Sequence, residues 1–457
     1  MENTKKIIIT GAGLCGSLLA LKMAQKGYDV IVYEKRTDMR TTEMSAGRSI
    51  NLALSDRGIA ALTRVGIIEK VKQLMIPMHG RMIHPMQGDL TFVKYSGREG
   101  EWINSISRGG LNKLLMDEAE ATGNVTFEFN TSCESVNFDE GTIHLHNLVT
   151  GQKSKDQADV IFGTDGAGSA IRNAMLENSN KIRFDFSIQY LKTGYKELEI
   201  PAGLNGSYRL EKNALHIWPR SGFMMIALPN LDGSFTVTLF MPFGSNPGFD
   251  NLKLDQEIIK FFNTYFPTAK DQMDDIISDF NNNPTSSLGT IKCYPWQVNG
   301  RFLLMGDAAH AVVPFYGQGM NASFEDVMIL DQLVDEFGGD WPQILLKYQE
   351  IRKIDADAIA DLAAENEIEM RAATADPVFL LKRRIELHLE QKYPDYFSKY
   401  SMVTFREDLP YHFAMEKGRA QDAILMEYAK EIGSFENMDE KEVLSRLSAI
   451  EADLHEG

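Results

Sequence analysis

The sequence predicts an α/β protein in which a doubly wound parallel sheet carries an inserted antiparallel-sheet domain and is followed by a C-terminal helical region. A βαβ unit opens the chain, since two apolar strands flank a helix within residues 6–34. Short strand-like segments punctuated by Gly and Pro fill the region from about 190 to 243. From Trp341 onward nearly every segment has helical spacing. These patterns predict three regions of different architecture.

Composition and charge exclude one large class of function. The chain has 457 residues, of which 44% are hydrophobic and 24% charged, as expected of a globular protein with a sizeable core. The formal net charge is −17. Because nucleic-acid binding needs a basic face, we expect no nucleic-acid partner. The sequence is compatible with a monomer or a homodimer.

Cysteine usage indicates the compartment. Cys15, Cys133 and Cys293 are scattered without a C-x-x-C pair, which fits a reducing cytoplasm and offers no metal motif. The N-terminus runs directly into a strand without a signal peptide, and no apolar run approaches the roughly 18 residues of a membrane span. We therefore expect a soluble cytoplasmic protein with no metal site and no membrane span.

The order of the segments predicts a discontinuous domain organisation. A nucleotide-binding domain is expected over 1–180 and 290–340, and a substrate domain over 181–289. Part of 75–105 should contribute to the substrate sheet, and 341–457 should form the helical region.

Further elements of the nucleotide-binding domain are predicted from periodicity. Residues 111–121 have the spacing of a helix, and 159–163 and 302–306 are buried strands. Residues 127–130 and 143–148 alternate between polar and apolar, which predicts an antiparallel ribbon.

Four apolar segments predict the strands of the inserted sheet, at 208–210, 215–218, 223–228 and 235–240.

The turn after the first strand has the residues that a dinucleotide requires. Gly11 permits the tight turn, Gly13 lets a pyrophosphate approach the backbone, and Gly16 lets helix and strand pack closely. Cys15 is interpreted as a small residue of which only the backbone N–H matters. Glu34 ends the second strand 18 residues after Gly16, where a carboxylate can bind a ribose diol. The sequence therefore predicts a Rossmann-like fold that binds a dinucleotide.

Arg36 follows this carboxylate closely. It could stack on an adenine ring or simply be solvated, and the sequence does not decide between the two.

Two later motifs favour FAD over a nicotinamide cofactor. Asp165 begins D-G-x-x-S-x-x-R after a buried strand, and Asp307 ends another strand, where it can bind ribityl hydroxyls. The turn before Gly319 starts a helix over about 321–334, and its N–H groups would face the flavin pyrimidine edge. His310 is interpreted as a structural histidine of the Asp307 turn.

These motifs resemble those of the single-component FAD-dependent aromatic hydroxylases. The resemblance implies that the Asp165 motif serves both FAD and NADPH, and that NADPH docks transiently, because the chain has no second G-x-G-x-x-G unit. Arg108 matches the family's flavin-contacting arginine. Further flavin contacts are expected at Ala53, Cys133, Met320 and Asn321.

Longer segments resemble the members of this family that act on L-kynurenine. The segments are 47–55, 80–84, 215–220, 223–230, 238–243, 313–321 and 368–371. The resemblance implies that the amino-acid end of the substrate is held by Arg81, Tyr95, Asn366 and Tyr411. A planar Arg fork is well suited to a buried carboxylate, and Tyr hydroxyls add directional bonds. An apolar box for the ring is expected at Phe240, Pro314 and Phe315.

The resemblance implies hydroxylation of L-kynurenine to 3-hydroxy-L-kynurenine, with electrons from NADPH and oxygen from O2, as a step of tryptophan catabolism. The flavin carries the chemistry, so no catalytic acid or base is expected from the chain. Three alternatives stay open: a related hydroxylase acting on a phenol or benzoate, a NAD-dependent dehydrogenase, and a flavin-binding sensor.

Overall fold

The structure, a computed structural model, describes residues 5–41, 51–372 and 376–455, without the side chains of 368, 371–372 and 451–455. Residues 47–50 of the first segment that resembles L-kynurenine hydroxylases lie outside the described residues. So do the side chains of 368 and 371 in the last one.

The elements are numbered in chain order. The strands are β1 (Lys6–Thr10), β2 (Asp29–Tyr33), β3 (Asn51–Leu54), β4 (Met75–Met78), β5 (Gly80–Ile83), β6 (Thr91–Lys94), β7 (Ile103–Ser107), β8 (Val125–Glu128), β9 (Thr131–Asn137), β10 (Thr142–Asn147), β11 (Lys153–Gln157), β12 (Val160–Gly163), β13 (Asp185–Ile200), β14 (Ala214–Arg220), β15 (Phe223–Pro229), β16 (Phe235–Pro242), β17 (Thr285–Tyr294), β18 (Gln297–Val298) and β19 (Phe302–Leu304). The helices are α1 (Leu14–Gln25), α2 (Asp56–Arg64), α3 (Ile68–Lys72), α4 (Arg108–Ala121), α5 (Ala170–Glu177), α6 (Ser179–Ile182), α7 (Asp255–Tyr265), α8 (Pro267–Lys270), α9 (Ile276–Asn282), α10 (Asp307–His310), α11 (Gly319–Phe337), α12 (Trp341–Ala372), α13 (Pro377–Lys392), α14 (Lys399–Phe405), α15 (Tyr411–Ile432) and α16 (Glu440–His455).

Contacts between residues divide the chain into two compact units. The first unit comprises 1–75, 106–191 and 288–360, and the second comprises 76–105, 192–287 and 361–457. The helical region expected from Trp341 onward is therefore divided within α12, and its larger part is grouped with residues of the antiparallel sheet.

The first unit is built on a six-stranded sheet in the order β18-β19-β12-β1-β2-β8. β1 pairs in parallel with β2 and β12, and its residues Ile7, Ile8 and Ile9 are fully buried. Strands that are covered on both faces read as continuous apolar runs, which is why the sequence shows them clearly. The doubly wound fold that the sequence predicts is confirmed.

One predicted pairing is wrong. Residues 127–130 were expected in an antiparallel ribbon, but Val125–Glu128 is the edge strand of the parallel sheet and pairs with β2. The ribbon is formed instead by β9, β10 and β11. An edge strand with one buried face alternates in the same way as a ribbon strand, so alternation cannot tell the two apart.

Most strands of a seven-stranded sheet, in the order β17-β13-β16-β15-β14-β5-β6, belong to the second unit, whereas β17 from Leu288 onward and β13 up to Leu191 are grouped with the first. One face packs its apolar side chains, including Leu239 and Met225, against α7, α8 and α9. Phe240 and Arg81 lie on the opposite face. Their positions follow from register, since Phe240 pairs with Met224 and alternates with Leu239, and Arg81 pairs with Leu215 of β14.

A predicted strand at 208–210 is also wrong. These residues lie in the connection before β14 and are not paired. The Tyr208 hydroxyl donates to the Asn230 carbonyl oxygen at 2.8 Å, and its ring packs on Phe235 with centroids 5.8 Å apart. Apolar residues that cover a core from a loop look like strand residues in the sequence.

The helices after α12 share a core of their own, with Ile385, Leu389, Leu425 and Tyr428 buried in it. Pro377 occupies the first turn of α13. There the ring costs no hydrogen bond, because the N–H of that position is unpaired in any helix. The predicted helical character of this region is confirmed.

A buried histidine pair joins β5 to β14 in the second unit. His84 Nε2 lies 2.9 Å from His216 Nδ1, and His216 Nε2 lies 2.9 Å from the carbonyl oxygen of Glu211. A carbonyl oxygen only accepts, so His216 carries its proton on Nε2 and accepts from His84 with Nδ1. Burial, together with the nearby His216 and Arg220, lowers the pKa of His84 to about 3.

This pair predicts acid destabilisation. The unfolded chain takes up the His84 proton near pH 6.5, well above the folded pKa, so stability falls as pH drops through this window. We expect His84 to account for about 2 kcal/mol of lost unfolding free energy between pH 6.5 and 5. Urea unfolding at the two pH values measures the loss, and His84→Gln should reduce it. His144→Gln, at an exposed position, is the control; equal pH dependence in all three proteins would contradict the assignment.

Candidate functional site

The turn between β1 and α1 contains two glycines that packing demands and one that it does not. Gly11 has φ +95°, and a Cβ there would lie 2.7 Å from Asp165 Cα. A Cβ on Gly16 would lie 2.1 Å from the Gly11 carbonyl oxygen. A Cβ on Gly13 would meet no atom within 4 Å. The protein therefore leaves the Gly13 side of the turn open, as close approach of a ligand phosphate requires.

The N-terminus of α1 opens on this space. No side chain caps the helix at Gly13, and its first turn contains no acidic residue. Its first N–H groups and the positive end of its dipole are thus available to an anion. The Cys15 thiol is buried, with Sγ 3.8 Å from the Ser323 carbonyl oxygen, and burial raises its pKa well above the ordinary value.

Glu34 follows β2 directly and is buried. Its carboxylate accepts from the Ala12 N–H at 2.9 Å and from Arg36 Nε at 2.8 Å. Burial by itself would raise the Glu34 pKa, but the Arg36 and backbone hydrogen bonds lower it below the ordinary value. Glu34 is thus an ionised acceptor beside the glycine turn. Arg36 is paired with this carboxylate, although most of its side chain is exposed.

The second motif meets the glycine turn through Asp165. One carboxylate oxygen of Asp165 accepts from the Ala170 N–H at 2.7 Å, and the other is buried without a hydrogen-bond partner among the described residues. Burial raises the Asp165 pKa. Arg172 donates to the carbonyl oxygens of Ala308 (2.9 Å) and Ala167 and so joins this motif to the Asp307 turn.

The Asp307 turn lies beside α1. Gly306 has φ +58°, and a Cβ there would lie 3.1 Å from Cys15 Sγ. Asp307 is exposed at the first position of α10. α11 begins at Gly319 and ends at Phe337, somewhat longer than predicted, with no acidic residue in its first turn. The three motifs therefore converge within the first unit.

The donor set fits FAD. A flavin dinucleotide requires hydrogen-bond donors for its phosphates and acceptors for its hydroxyl groups. The protein offers the donors at two helix N-termini without acidic residues and beside the open Gly13, and the acceptors at the ionised Glu34 and at the Asp165 oxygen that has no partner among the described residues. Glu34 would take the ribose, the glycine turn the diphosphate, and Asp307 the ribityl chain.

The Asn321 side chain is bonded within the protein. Its amide donates to the carbonyl oxygens of Ala53 and Gly317, both at 2.9 Å, and accepts from the Ser55 N–H at 3.0 Å. Both amide hydrogens are thus used within the protein. The side chain ties β3 to the turn before α11, so any flavin contact is left to its backbone.

Three other predicted cofactor contacts lie in the first unit. Arg108 is the exposed first residue of α4. Cys133 lies on β9, where burial and then the Asp165 charge raise its pKa to about 12. Met320 is half-buried in the first turn of α11.

The second unit brings Arg81 and Tyr95 together. The Arg81 guanidinium carbon lies 5.1 Å from the Tyr95 ring centroid and 4.9 Å from that of Tyr400. The two rings stack with centroids 5.7 Å apart. Arg81 Nε and the Tyr95 hydroxyl are buried without hydrogen-bond partners among the described residues. Buried donors of this kind are costly unless a ligand satisfies them.

The segment that contains Tyr95 is bonded to helix α13. Tyr95 follows β6, and its carbonyl oxygen accepts from Arg383 of α13 at 2.6 Å. Two residues later, the Gly97 N–H donates to Glu390 of the same helix at 3.0 Å. The helix thus fixes the segment that carries the tyrosine.

Sequence reasoning missed Tyr400. It lies in α14, a short buried helix, and no local motif distinguishes it from the helical residues around it. Only the fold places it against an arginine more than 300 residues earlier.

The other predicted substrate residues are distributed over both units. Phe240 shares the sheet face of Arg81. Thr193 Oγ1 on that face donates to Glu367 at 3.1 Å, which places the segment of α12 with the buried Asn366 beside it. Tyr411 is the fully buried first residue of α15. Pro314 and Phe315 belong to the first unit, where Pro314 is exposed and Phe315 buried.

The described residues contain neither a metal-binding cluster nor a membrane-spanning helix. Within 5–41, 51–372 and 376–455 no group of three or more His, Cys, Asp or Glu side chains is arranged to hold a metal ion. Across the same ranges, no helix has the length and apolar character that a bilayer crossing requires.

Comparison with known proteins supports the flavin assignment. Residues 4–189 and 276–363 match the FAD binding domain family. Among solved structures, the chain is similar to 2-methyl-3-hydroxypyridine-5-carboxylic acid oxygenase, with a TM-score of 0.66 and 21% identity over 84% of this chain and 98% of that one. A probable FAD-dependent monooxygenase of Pseudomonas aeruginosa gives a TM-score of 0.64 at 17% identity, over 81% of this chain and 97% of that one. These structural likenesses concern the fold.

Sequence relatives are much closer. The chain is 46% identical over 431 residues to a kynurenine 3-monooxygenase of Flavobacterium psychrophilum, covering 94% of this chain and 95% of that protein. It is 44% identical over 436 residues to that of Myxococcus xanthus, covering 95% and 93%. For Dictyostelium discoideum the identity is 44% over 439 residues, covering 93% of each. The FAD cofactor and the aromatic hydroxylase resemblance are thereby confirmed, and the chain belongs to the kynurenine 3-monooxygenase family of FAD-dependent monooxygenases.

Proposed function

We propose that this protein catalyses the NADPH- and O2-dependent hydroxylation of L-kynurenine to 3-hydroxy-L-kynurenine. The observation that carries the proposal is the pair of buried, unpartnered donors at Arg81 and Tyr95. A substrate carboxylate would satisfy both, and the names of the relatives identify a substrate that has one.

Arg81 is the anchor of this clamp. Its guanidinium packs against both the Tyr95 and the Tyr400 ring, which restricts the orientation of its N–H fork. A carboxylate bound to the fork gains charge-assisted hydrogen bonds and supplies the acceptor that the buried Arg81 Nε lacks among the described residues. We assign Tyr400 to the clamp as its second tyrosine, on the strength of this contact.

The rest of the chain positions the substrate ring. Phe240 offers an apolar wall on the sheet face that carries Arg81, and Asn366 lies in the helix bonded to that face through Glu367. The amino group of L-kynurenine already activates its ring toward an electrophilic oxygen. The chain therefore needs to orient and desolvate the ring rather than supply an acid or base.

When bound, FAD supplies the transfer of electrons from NADPH and the activation of oxygen. The groups described above would hold it, with α1 for the diphosphate, Glu34 for the ribose and Asp307 for the ribityl chain. We place the enzyme in the cytoplasm, because its three scattered cysteines suit a reducing compartment.

A turnover assay tests the proposal. The purified FAD-loaded protein should oxidise NADPH faster when L-kynurenine is added and should release 3-hydroxy-L-kynurenine. NADH in place of NADPH tests the nucleotide, and 4-hydroxybenzoate in place of L-kynurenine tests the phenol and benzoate alternative. Hydroxylation of 4-hydroxybenzoate without any of L-kynurenine would overturn the substrate assignment. A protein that binds FAD but shows no NADPH oxidation with either substrate would favour the sensor.

A further inference from the structure

A fully buried carboxylate lies behind the Asp307 turn. Asp326, on α11, accepts from the Gly306 N–H at 3.0 Å and lies 2.6 Å from His310 Nε2 with the same oxygen. Its second oxygen accepts from Arg352 Nε at 2.9 Å. Two of these three donors belong to the short segment that begins with Gly306 and contains Asp307.

The carboxylate is ionised in the folded protein. Burial alone would raise the Asp326 pKa, but His310, Arg352 and the Gly306 N–H lower it below its ordinary value. Arg352 is itself buried and also pairs with Glu325 at 2.9 Å and Asp355 at 3.4 Å. Buried charges with this many partners are rigid, because displacing any one leaves another unpaired.

The turn needs such an anchor. Gly306 has φ +58° and ψ −143°, a conformation that only glycine adopts readily. Its N–H is turned away from the strand and toward Asp326, so the carboxylate sets the direction in which the chain leaves β19. Asp307 is the next residue.

One helix therefore holds two parts of the flavin site. The first turn of α11, which starts at Gly319, presents its N–H groups without a side-chain cap, and Asp326 lies seven residues after Gly319 on the same helix. Seven residues of helix rise about 10 Å. The helix α11 is rigid, and Asp326 on it bonds to Gly306 and His310 of the turn. Together they determine the distance between the N-terminus of α11 and the Asp307 turn.

We propose that Asp326 is a positioning residue of the flavin site, which holds the Gly306–Asp307 turn at a fixed distance from the first turn of α11. The inference rests on the assignment of Asp307 to the flavin in the proposed function. It assigns to Asp326 an effect on FAD affinity that acts through Asp307.

Asp326→Asn is the direct test, because it keeps the shape and removes one acceptor. The amide must direct its NH2 group either at Arg352 or at the Gly306 N–H and His310, so a donor faces a donor in both orientations. Loss of a charge-assisted bond predicts FAD binding weakened about ten- to hundredfold. The Kd is measured by titrating the apoprotein with FAD and following flavin fluorescence.

Glu325→Gln is the matched control. Glu325 lies beside Asp326 on the same helix and pairs with Arg57 and Arg352. The bonds from Gly306 and His310 of the turn go to Asp326 instead. Because this change alters the same charge network but leaves the bonds from Asp326 to the turn in place, the variant should bind FAD within about twofold of the wild type. An equal loss in both variants would show that the charge network, and not the turn contact, matters, and would overturn the proposal.

A double-mutant cycle separates positioning from general destabilisation. Asp307→Ala should weaken FAD binding by itself, and Asp307→Ala with Asp326→Asn should weaken it no further. Contacts that act through one another are not additive, whereas independent ones are. Additive losses of affinity would overturn the proposal. Wild-type affinity in Asp307→Ala alone would instead remove the flavin assignment of Asp307, so the two failures are distinguishable.

His310 provides a second route if Asp326→Asn does not fold. His310→Leu removes one turn anchor and leaves the Asp326–Arg352 pair intact, and it should weaken FAD binding several-fold. His310→Gln retains a side-chain N–H donor and should restore most of the affinity. Wild-type FAD affinity in His310→Leu would contradict the proposal.

Discussion

Gly13→Val is expected to abolish FAD binding while the apoprotein stays folded. The position has φ −77°, which any residue can adopt, and a Cβ there meets no protein atom within 4 Å. A valine side chain would instead fill the space that a diphosphate needs in order to reach the N–H groups of α1. Several charge-assisted bonds of about 1.5–3 kcal/mol each would be lost, so FAD should bind at least about a hundredfold more weakly.

FAD titration of the apoprotein and its thermal unfolding together measure this effect. Gly244→Val is the matched control, because a Cβ at Gly244 also meets nothing within 4 Å and the residue belongs to the second unit. Gly16→Ala should behave differently, since its Cβ would strike the Gly11 carbonyl oxygen and destabilise the fold itself. A Gly13→Val protein with wild-type FAD affinity would show that the diphosphate lies elsewhere.

Arg81→Ala is expected to raise the KM for L-kynurenine by about two orders of magnitude with a smaller change in kcat. Removal of one partner from a buried charge pair costs about 2–5 kcal/mol, and a clamp on the substrate's carboxylate contributes to binding rather than to the chemical step. Arg81→Lys should recover only part of the loss, because a point charge cannot replace the planar fork that packs against the Tyr95 and Tyr400 rings.

Steady-state kinetics with two substrates isolates the role of Arg81. Binding of 2-aminoacetophenone, which has the ring but no carboxylate, should be equal in the wild type and in Arg81→Ala. Lys94→Ala removes an exposed cation from the neighbouring strand and should leave the KM unchanged. An unchanged KM in Arg81→Ala would refute the clamp, and the flavin site would stand without it.

Some features of this protein could be predicted from the sequence because they depend on residues that lie close together along the chain. The glycine turn, the strand before it and the helix after it follow from backbone geometry within residues 6–25. Gly16 is demanded by the Gly11 carbonyl oxygen in the same turn, and Gly11 by its own φ of +95°. The helical character after Trp341 follows equally from spacing along the chain.

For other features, the sequence predicted the type of element or side chain correctly but did not predict the segment that it contacts. Alternation along 127–130 predicts a half-buried strand correctly, yet the strand pairs with β2 and not with the ribbon. Asn321 stays a predicted flavin contact, and the structure adds that its side chain bonds to Ala53 and Ser55. A residue's type indicates what it can bond, but the nearest partner depends on which segments pack beside it.

The sequence by itself determined the dinucleotide fold and the FAD motifs, since each rests on short-range geometry or on a motif with a recognisable spacing. The role of Arg81 as a carboxylate ligand was implied by the family resemblance and stays a prediction. Only the tertiary structure decided that Tyr400 packs on Arg81 and that Asp326 holds the Asp307 turn. Tyr400 is a helical residue among many, and Asp326 is one of several acidic residues on its helix. Their roles arise from contacts between segments distant along the chain, and no periodicity along the sequence records such contacts.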